Sequence, residues 1–224
     1  MTKKKENIAQ IKTTIKEKRV VDFTTYDNMG EFVLIMGTMN TYKSLELIKD
    51  YEKAKKYNRL IISPADDNRY GVGKVTTKFG SNDKDPPISV PAVVMESICA
   101  DEIIKKHPGI QKIYIDEVQF FPVESVMEIL KLVYRYKIDV RCYGLRLDYT
   151  GKMWDTTNEL LRLGAHPQVM YAPCANEQCN NDATMDAYYE KGIPKIDGIQ
   201  KIIGTDSFSQ LCTPCWLIAH GKIR

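Results

Sequence analysis

At 224 residues, with 43% hydrophobic and 27% charged side chains, the chain has room for one sizeable core and a small appendage. Its 32 Lys+Arg against 29 Asp+Glu leave a net charge of +3, too near neutral for total charge to argue for a nucleic-acid partner. No apolar run approaches a membrane span and no signal-peptide core follows the first lysines, so the expected location is the cytoplasm, where thiols stay reduced.

Residues 1–29 read as a basic N-terminal extension. Lys3, Lys4, Lys5, Lys12, Lys16, Lys18 and Arg19 outnumber Glu6 and Glu17 there, and Ile8, Ile11 and Ile15 recur at helical spacing. A solvated helix or tail is preferred to a polyanion or membrane contact.

Residues 30–170 alternate strand-like and helical runs. Phe32 to Met36 is a first strand, and a helix runs from near Leu45 to Lys56. Arg59 to Pro64 is a second strand, stopped by its proline. Gly71 to Pro87, rich in Gly, Lys and Asp, reads as a hairpin or loop. Ala92 to Lys106 has helical periodicity, ended by Pro108-Gly109. Lys112 to Asp116 is a third strand, Val123 to Tyr136 a further helix and Ile138 to Gly144 a fourth strand. Such alternation predicts an α/β domain, a mostly parallel sheet with helices on both faces. Ligands of these sheets sit at the carboxyl ends of strands, where the loop after Met36, Asp67-Asn68-Arg69, Asp116-Glu117 and Leu145-Arg146 all fall. From about Pro173 cysteines, Asn/Asp-rich turns and short β-prone pieces take over, so residues 171–224 read as a small second module.

Three motifs carry chemistry. Gly37-Thr38-Met39-Asn40-Thr41-Tyr42-Lys43-Ser44 lies between a strand and a helix, the context of a phosphate-binding P-loop. Its amides and the helix N-terminus face a polyphosphate, Lys43 reaches the phosphates and the Ser44 hydroxyl ligates Mg²⁺. Tyr42 stands where such loops carry glycine. Ile113-Tyr114-Ile115-Asp116-Glu117 is an apolar strand tipped by two acids; one suits Mg²⁺, directly or through water, and the next suits a base. Cys174-x₄-Cys179 and Cys212-x₂-Cys215 are two pairs suited to a closed, structural zinc site. Cys99 and Cys142 sit in apolar runs and are expected in the core.

Taken together, these elements resemble the thymidine kinases of animal cytosol, many bacteria and large DNA viruses, which join a P-loop α/β domain to a zinc-bound lasso. The resemblance runs from about Gly30 to Trp216. It rests on the P-loop, Asp66-Asp67-Asn68-Arg69-Tyr70-Gly71-Val72-Gly73, Ile115-Asp116-Glu117-Val118-Gln119-Phe120-Phe121, Tyr143-Gly144-Leu145-Arg146-Leu147-Asp148-Tyr149, and Ile203-Gly204-Thr205-Asp206-Ser207-Phe208 before Cys212-Thr213-Pro214-Cys215.

The resemblance implies that Gly37 to Ser44 cradle the ATP phosphates, and that Ser44 and Asp116 handle Mg²⁺, with Asp67 further out. Glu117 resembles the base that takes the nucleoside 5′-hydroxyl proton, and Arg69 the arginine beside the transferring phosphoryl. Met39, Phe120, Leu145 and Tyr149 are similar to the residues that wall the thymine ring. The lasso, roughly Ile202 to Phe208 and including Gly204 and Thr205, closes over the base. Phe208 replaces a family tyrosine, and the first cysteine pair is wider than usual. Partners implied are a nucleoside, ATP and further copies of the chain as a tetramer, with no direct nucleic-acid or membrane contact.

The expected function is thymidine kinase. The alternative is a catalytically weak or inactive nucleotide- or nucleoside-binding protein on the same fold, motivated by Tyr42. A P-loop ATPase acting on nucleic acid ranks behind both, for want of length and basic faces.

Overall fold

The computed structural model describes residues 29–67, 71–77, 87–200 and 207–223. The basic extension expected over residues 1–29 lies outside them except for Met29.

Six strands form one wholly parallel sheet. In chain order they are β1 (Phe32–Gly37), β2 (Arg59–Pro64), β5 (Val93–Met95), β6 (Lys112–Ile115), β7 (Asp139–Leu145) and β8 (His166–Met170), in the spatial order β5-β2-β6-β7-β1-β8. Two more strands, β3 (Lys74–Thr77) and β4 (Ile88–Pro91), form an antiparallel hairpin between β2 and β5. The helices are α1 (Lys43–Lys53), α2 (Ala100–Lys106), α3 (Ser125–Leu130, running on as a wider π turn to Arg135) and α4 (Asp155–Arg162).

Both faces of the sheet are covered because its inner strands, β1 above all, are apolar on both sides, as buried parallel strands are. All six residues of β1 are buried. Their alternation splits them between two cores. Phe32, Leu34 and Met36 join Ile113, Ile115, Val140 and Cys142 under α2, α3 and α4, packing against Ile103, Ile129, Leu132 and Leu160. Val33 and Ile35 join Tyr114 and Tyr143 on the other face, under Leu47 and Ile48 of α1 and Val75 and Val90 of the hairpin. Each fully buried Leu or Ile contributes roughly 1.5–3 kcal/mol, so the sheet centre is the stable platform for its loops.

A polar clamp fixes α1 on this platform. The Tyr143 hydroxyl donates to Asp50 Oδ2 at 2.8 Å, and Arg141 Nε pairs with the same oxygen at 3.3 Å. Tyr114 donates to the Asp50 carbonyl at 3.2 Å. Burial, then the Asp50 charge, pushes the Tyr143 phenol well above the usual range, so it stays a donor.

The structure corrects three expectations. The helix expected from Ala92 to Lys106 is a strand at Val93–Met95 and a helix only from Ala100, because Val93 and Val94 pair with Ile62 and Ser63 at the sheet edge. A β-branched pair on an open edge outweighs local helical spacing. The helix expected from Val123 to Tyr136 begins at Ser125 and widens after Leu130, with the Tyr136 N–H bonding Lys131 O. Strand β8, which the sequence reading left out, pairs with β1 along its length; its mostly exposed residues lack an apolar strand pattern.

The C-terminal part forms a three-stranded antiparallel sheet, β10-β9-β11, from β9 (Met185–Glu190), β10 (Ile193–Pro194) and β11 (Phe208–Leu211), followed by α5 (Thr213–Ala219). Its apolar centre is small: Met185, Ala187, Leu211 and Trp216 around Cys174 and Cys212. Small centres of this kind are the ones that disulfides or a structural metal commonly reinforce. Among the described residues no helix is long and apolar enough to cross a membrane.

Candidate active site

Strand β1 ends at Gly37, where a Cβ would lie 2.6 Å from Met170 O and 2.7 Å from Thr41 Oγ1. Only glycine fits this close approach. Residues 38–42 then turn into α1. Lys43 folds back over the turn, its Nζ donating to Thr38 O at 2.6 Å and Thr41 Oγ1 at 3.2 Å. Ser44 is half-buried in the first turn of α1. A loop of backbone amides, a helix N-terminus and a lysine are together suited to a polyphosphate.

Tyr42 shows why glycine is expected at its position. It caps α1 in the left-handed region, φ 59° and ψ 27°, a conformation that strains L-residues by about 1–2 kcal/mol. The residue is 60% exposed. Asn40 is also left-handed, at φ 57°.

The two acids stand at the same sheet edge. Ile115 pairs with Ile62 on one side and Cys142 on the other, and Gly37 pairs with Leu145 across β1 and β7. The loops after β1, β2, β6 and β7 therefore all leave the sheet at its carboxyl end, β6 ending three residues short of the level of Gly37 and Leu145. Asp116 is buried, its N–H bonded to Ile62 O at 2.9 Å. Asp67, three residues past the end of β2, donates its N–H to Pro64 O at 3.2 Å. Glu117 adopts φ 44° and ψ 46°, unusual for a non-glycine residue and costly by about 1–3 kcal/mol.

Gln119 holds Glu117 there. Its Nε2 donates to Glu117 Oε2 at 2.6 Å, while its Oε1 accepts the Leu145 N–H at 3.0 Å. Gly144 makes room for it, since a Cβ would come 2.5 Å from Gln119 Oε1. Sequence reasoning quoted Gln119 within a motif without giving it a role. Its spacing from Glu117 carries no signal until β7 is beside it.

Two aromatic sets flank the edge. Phe120 meets Trp154 edge-on at 5.5 Å. Tyr149 and Phe208, expected to share a site, lie 6.5 Å apart and are bridged by Tyr188, 5.6 Å from Tyr149 and 5.0 Å from Phe208. The Tyr149 hydroxyl donates to Asp197 O at 3.0 Å. Leu145 ends β7, half-buried. Arg69, Gly204 and Thr205 lie outside the described residues, as does most of the expected lasso.

Asp186 of β9 is a residue that sequence reasoning missed. It is 3% exposed and accepts the Met39 N–H on both oxygens, at 3.0 and 3.1 Å. Burial pushes its carboxyl up to about 6, against the pull of Lys43 and the Met39 N–H, with Glu117 adding to the rise.

The four cysteines converge. The Sγ atoms of Cys174, Cys179, Cys212 and Cys215 all lie within 4.8 Å of one another, and Cys179 and Cys212 are 3.6 Å apart. A tetrahedral zinc with Zn–S of about 2.3 Å would hold sulfurs about 3.8 Å apart, so the donor set fits. The Cys212 N–H reaches Cys174 Sγ at 3.3 Å, and Asn176 Nδ2 reaches Cys215 Sγ at 3.3 Å, contacts of the kind that support thiolate ligands.

A parallel sheet with the Gly37–Ser44 turn and its lysine at the carboxyl edge, paired acids two strands away and a four-cysteine cluster are the parts a P-loop, nucleotide-handling protein would use. Comparison with known proteins narrows the class. The thymidine kinase family profile matches residues 30–216. A thymidine kinase of Enterobacteria phage T4 is 29% identical over 192 residues, spanning 84% of this chain and 96% of that one. One from Streptococcus thermophilus strain CNRZ 1066 is 30% identical over 192 residues, with 84% and 94% covered. One from Vibrio parahaemolyticus is 29% identical over 200 residues, with 87% and 100% covered. The chain belongs to the thymidine kinase family, and hence to the kinases.

Proposed function

We propose that the chain transfers the γ-phosphoryl of ATP to the 5′-hydroxyl of thymidine or a close pyrimidine deoxynucleoside, giving the 5′-monophosphate and ADP. The observation that carries this reading is that the Gly37–Ser44 loop and the Asp116-Glu117 pair both follow strands ending at the same carboxyl edge of one parallel sheet. A donor cradle and a base facing one another is the arrangement an in-line displacement needs.

The amides from Gly37 to Ser44, through Thr38, Met39, Asn40, Thr41 and Tyr42, and the Lys43 ammonium bind the donor phosphates. Glu117 accepts the proton of the 5′-hydroxyl, whose oxygen attacks the γ-phosphorus while the bond to the ADP oxygen breaks. Arg69 stabilises the transferring group. Ser44, Asp116 and Asp67 offer the hard oxygen donors that suit Mg²⁺, which when bound neutralises charge on the β- and γ-phosphates. Met39, Phe120, Leu145 and Tyr149 wall the base, and Gly204, Thr205 and Phe208 close over it.

Residues 30–170 act as the catalytic domain and residues 171–224 as the lasso domain, its four cysteines holding a structural zinc. The working enzyme is a cytoplasmic homo-oligomer that binds neither membrane nor nucleic acid. The left-handed Tyr42 is the observation that favours a second reading, a nucleotide- or nucleoside-binding protein with weak or no catalysis.

The test is a transfer assay with Mg²⁺, γ-labelled ATP and a panel of nucleosides, with Lys43→Ala as blank. Label on thymidine, absent from the blank, is the expected result. A folded, zinc-loaded protein that labels no nucleoside would overturn the kinase reading and leave the binding protein.

A further inference from the structure

The phosphate loop is gripped from outside its own sheet. The Met39 N–H is held by both oxygens of Asp186, and the neighbouring Asn40 Nδ2 donates to Gln210 Oε1 at 3.3 Å. Asp186 and Gln210 face each other across β9 and β11, so one rung of the small sheet holds two consecutive loop residues. The Gln210 amide also favours the ionised Asp186, without meeting the geometry of a regular hydrogen bond.

That rung is anchored in turn. Trp216 Nε1 donates to the Asp186 carbonyl at 3.1 Å from α5, the helix that carries Cys215. The Gln210 carbonyl accepts the Ala175 N–H at 2.8 Å, beside Cys174. Both ends of the rung therefore attach to the four-cysteine cluster. A carboxylate buried this deeply is unfavourable unless hydrogen-bonded, and here its bonds go to the loop that faces the donor.

We infer that Asp186 is a positioning residue for the phosphate donor: with Gln210 it holds Met39 and Asn40 so that the following amides and Lys43 meet the phosphates. The inference rests on the kinase reading and adds a residue 147 positions from Met39 to the donor site. Removing the grip lets the loop relax before binding, and the donor must then order it again. Donor affinity falls by more than acceptor affinity, because the grip is on the Met39 backbone N–H and the acceptor feels its loss only through the Met39 side chain.

The experiment is calorimetric titration of the full chain with MgADP and, separately, with thymidine, for the wild type, Asp186→Ala, Asp186→Asn and Gln210→Ala. Asp186→Ala should weaken MgADP about tenfold, the scale of a lost hydrogen bond to a charged acceptor, and thymidine by less than about twofold. Asp186→Asn keeps an acceptor oxygen and should restore MgADP to within about threefold of the wild type. Gln210→Ala should weaken MgADP by about threefold, again selectively.

Unchanged MgADP affinity in Asp186→Ala, or equal loss of both ligands, overturns the inference. So does an Asp186→Asn chain that binds MgADP as weakly as the alanine chain. Should the alanine chain fail to fold, Gln210→Ala decides the matter in the same way, since its side chain is only half-buried. A wild type that binds both ligands beside indifferent variants overturns only the role of Asp186. A wild type that binds neither overturns the kinase reading along with it.

Discussion

Replacing Asp186 by asparagine should change how stability depends on pH. The folded carboxyl has its pKa raised from 3.8 to about 6, first by burial and then by Glu117, with Lys43 and the Met39 N–H pulling the other way. The shift of about two units corresponds to about 3 kcal/mol. The sign follows from proton binding. Between pH 3.8 and about 6 the folded state holds a proton that the unfolded state has released, so stability falls as pH rises through this window. Nearly the whole loss is complete by pH 8, and about 1.4 kcal/mol of it falls between pH 5 and pH 8. Asparagine carries no such charge. Urea unfolding of both chains at pH 5, 6, 7 and 8, taken as variant minus wild type, cancels the other titrating groups. The variant should gain about 1.4 kcal/mol on the wild type across that range. A difference that stays constant, or that moves toward the wild type as pH rises, would refute the burial argument. A variant more stable at pH 8 would be a case of stability sacrificed to keep a charged group at a functional site.

Glu117→Gln should lower kcat by about 10²–10⁴ and leave thymidine affinity within about threefold, because the amide keeps the shape but takes no proton; undiminished turnover would remove Glu117 from the role of base. Tyr42→Gly relieves left-handed strain at a residue 60% exposed, so thermal unfolding should show a change between zero and about 1 kcal/mol of stabilisation. A loss above about 1 kcal/mol would mean that the ring packs usefully in the folded chain. Metal analysis should find one zinc per chain, and Cys212→Ser should lose it and destabilise the small sheet by about 3 kcal/mol or more; a zinc-free native protein would exclude a metal at the four cysteines.

The central strands were legible because β1 and β6 carry apolar runs buried on both faces, and β7 carries Val140, Cys142 and Tyr143 among Asp139 and Arg141. The loop from Gly37 to Ser44 was legible because one residue type at each end, Gly37 and Lys43, is tied to local backbone shape and charge. The cysteines announced their cluster by spacing, since four thiols in two pairs have few other uses. The edge strands were not legible. Val93–Met95 is three residues long and β8 is largely exposed, so neither carries the pattern that burial imposes.

What the sequence by itself determined is thus whatever depends on neighbouring residues: the apolar strands, the turn from Gly37 into α1, the paired acids at a strand tip and the family resemblance built from them. The tertiary structure alone decided how these parts are held. Gln119 meets Leu145 only because β7 lies beside β6, Tyr188 joins Tyr149 and Phe208 only through β9, and Asp186 reaches Met39 across 147 positions. A local motif is set by sterics and charge within a few residues, whereas a buried carboxylate's partner is chosen by the packing of whole sheets, which no spacing along the chain encodes.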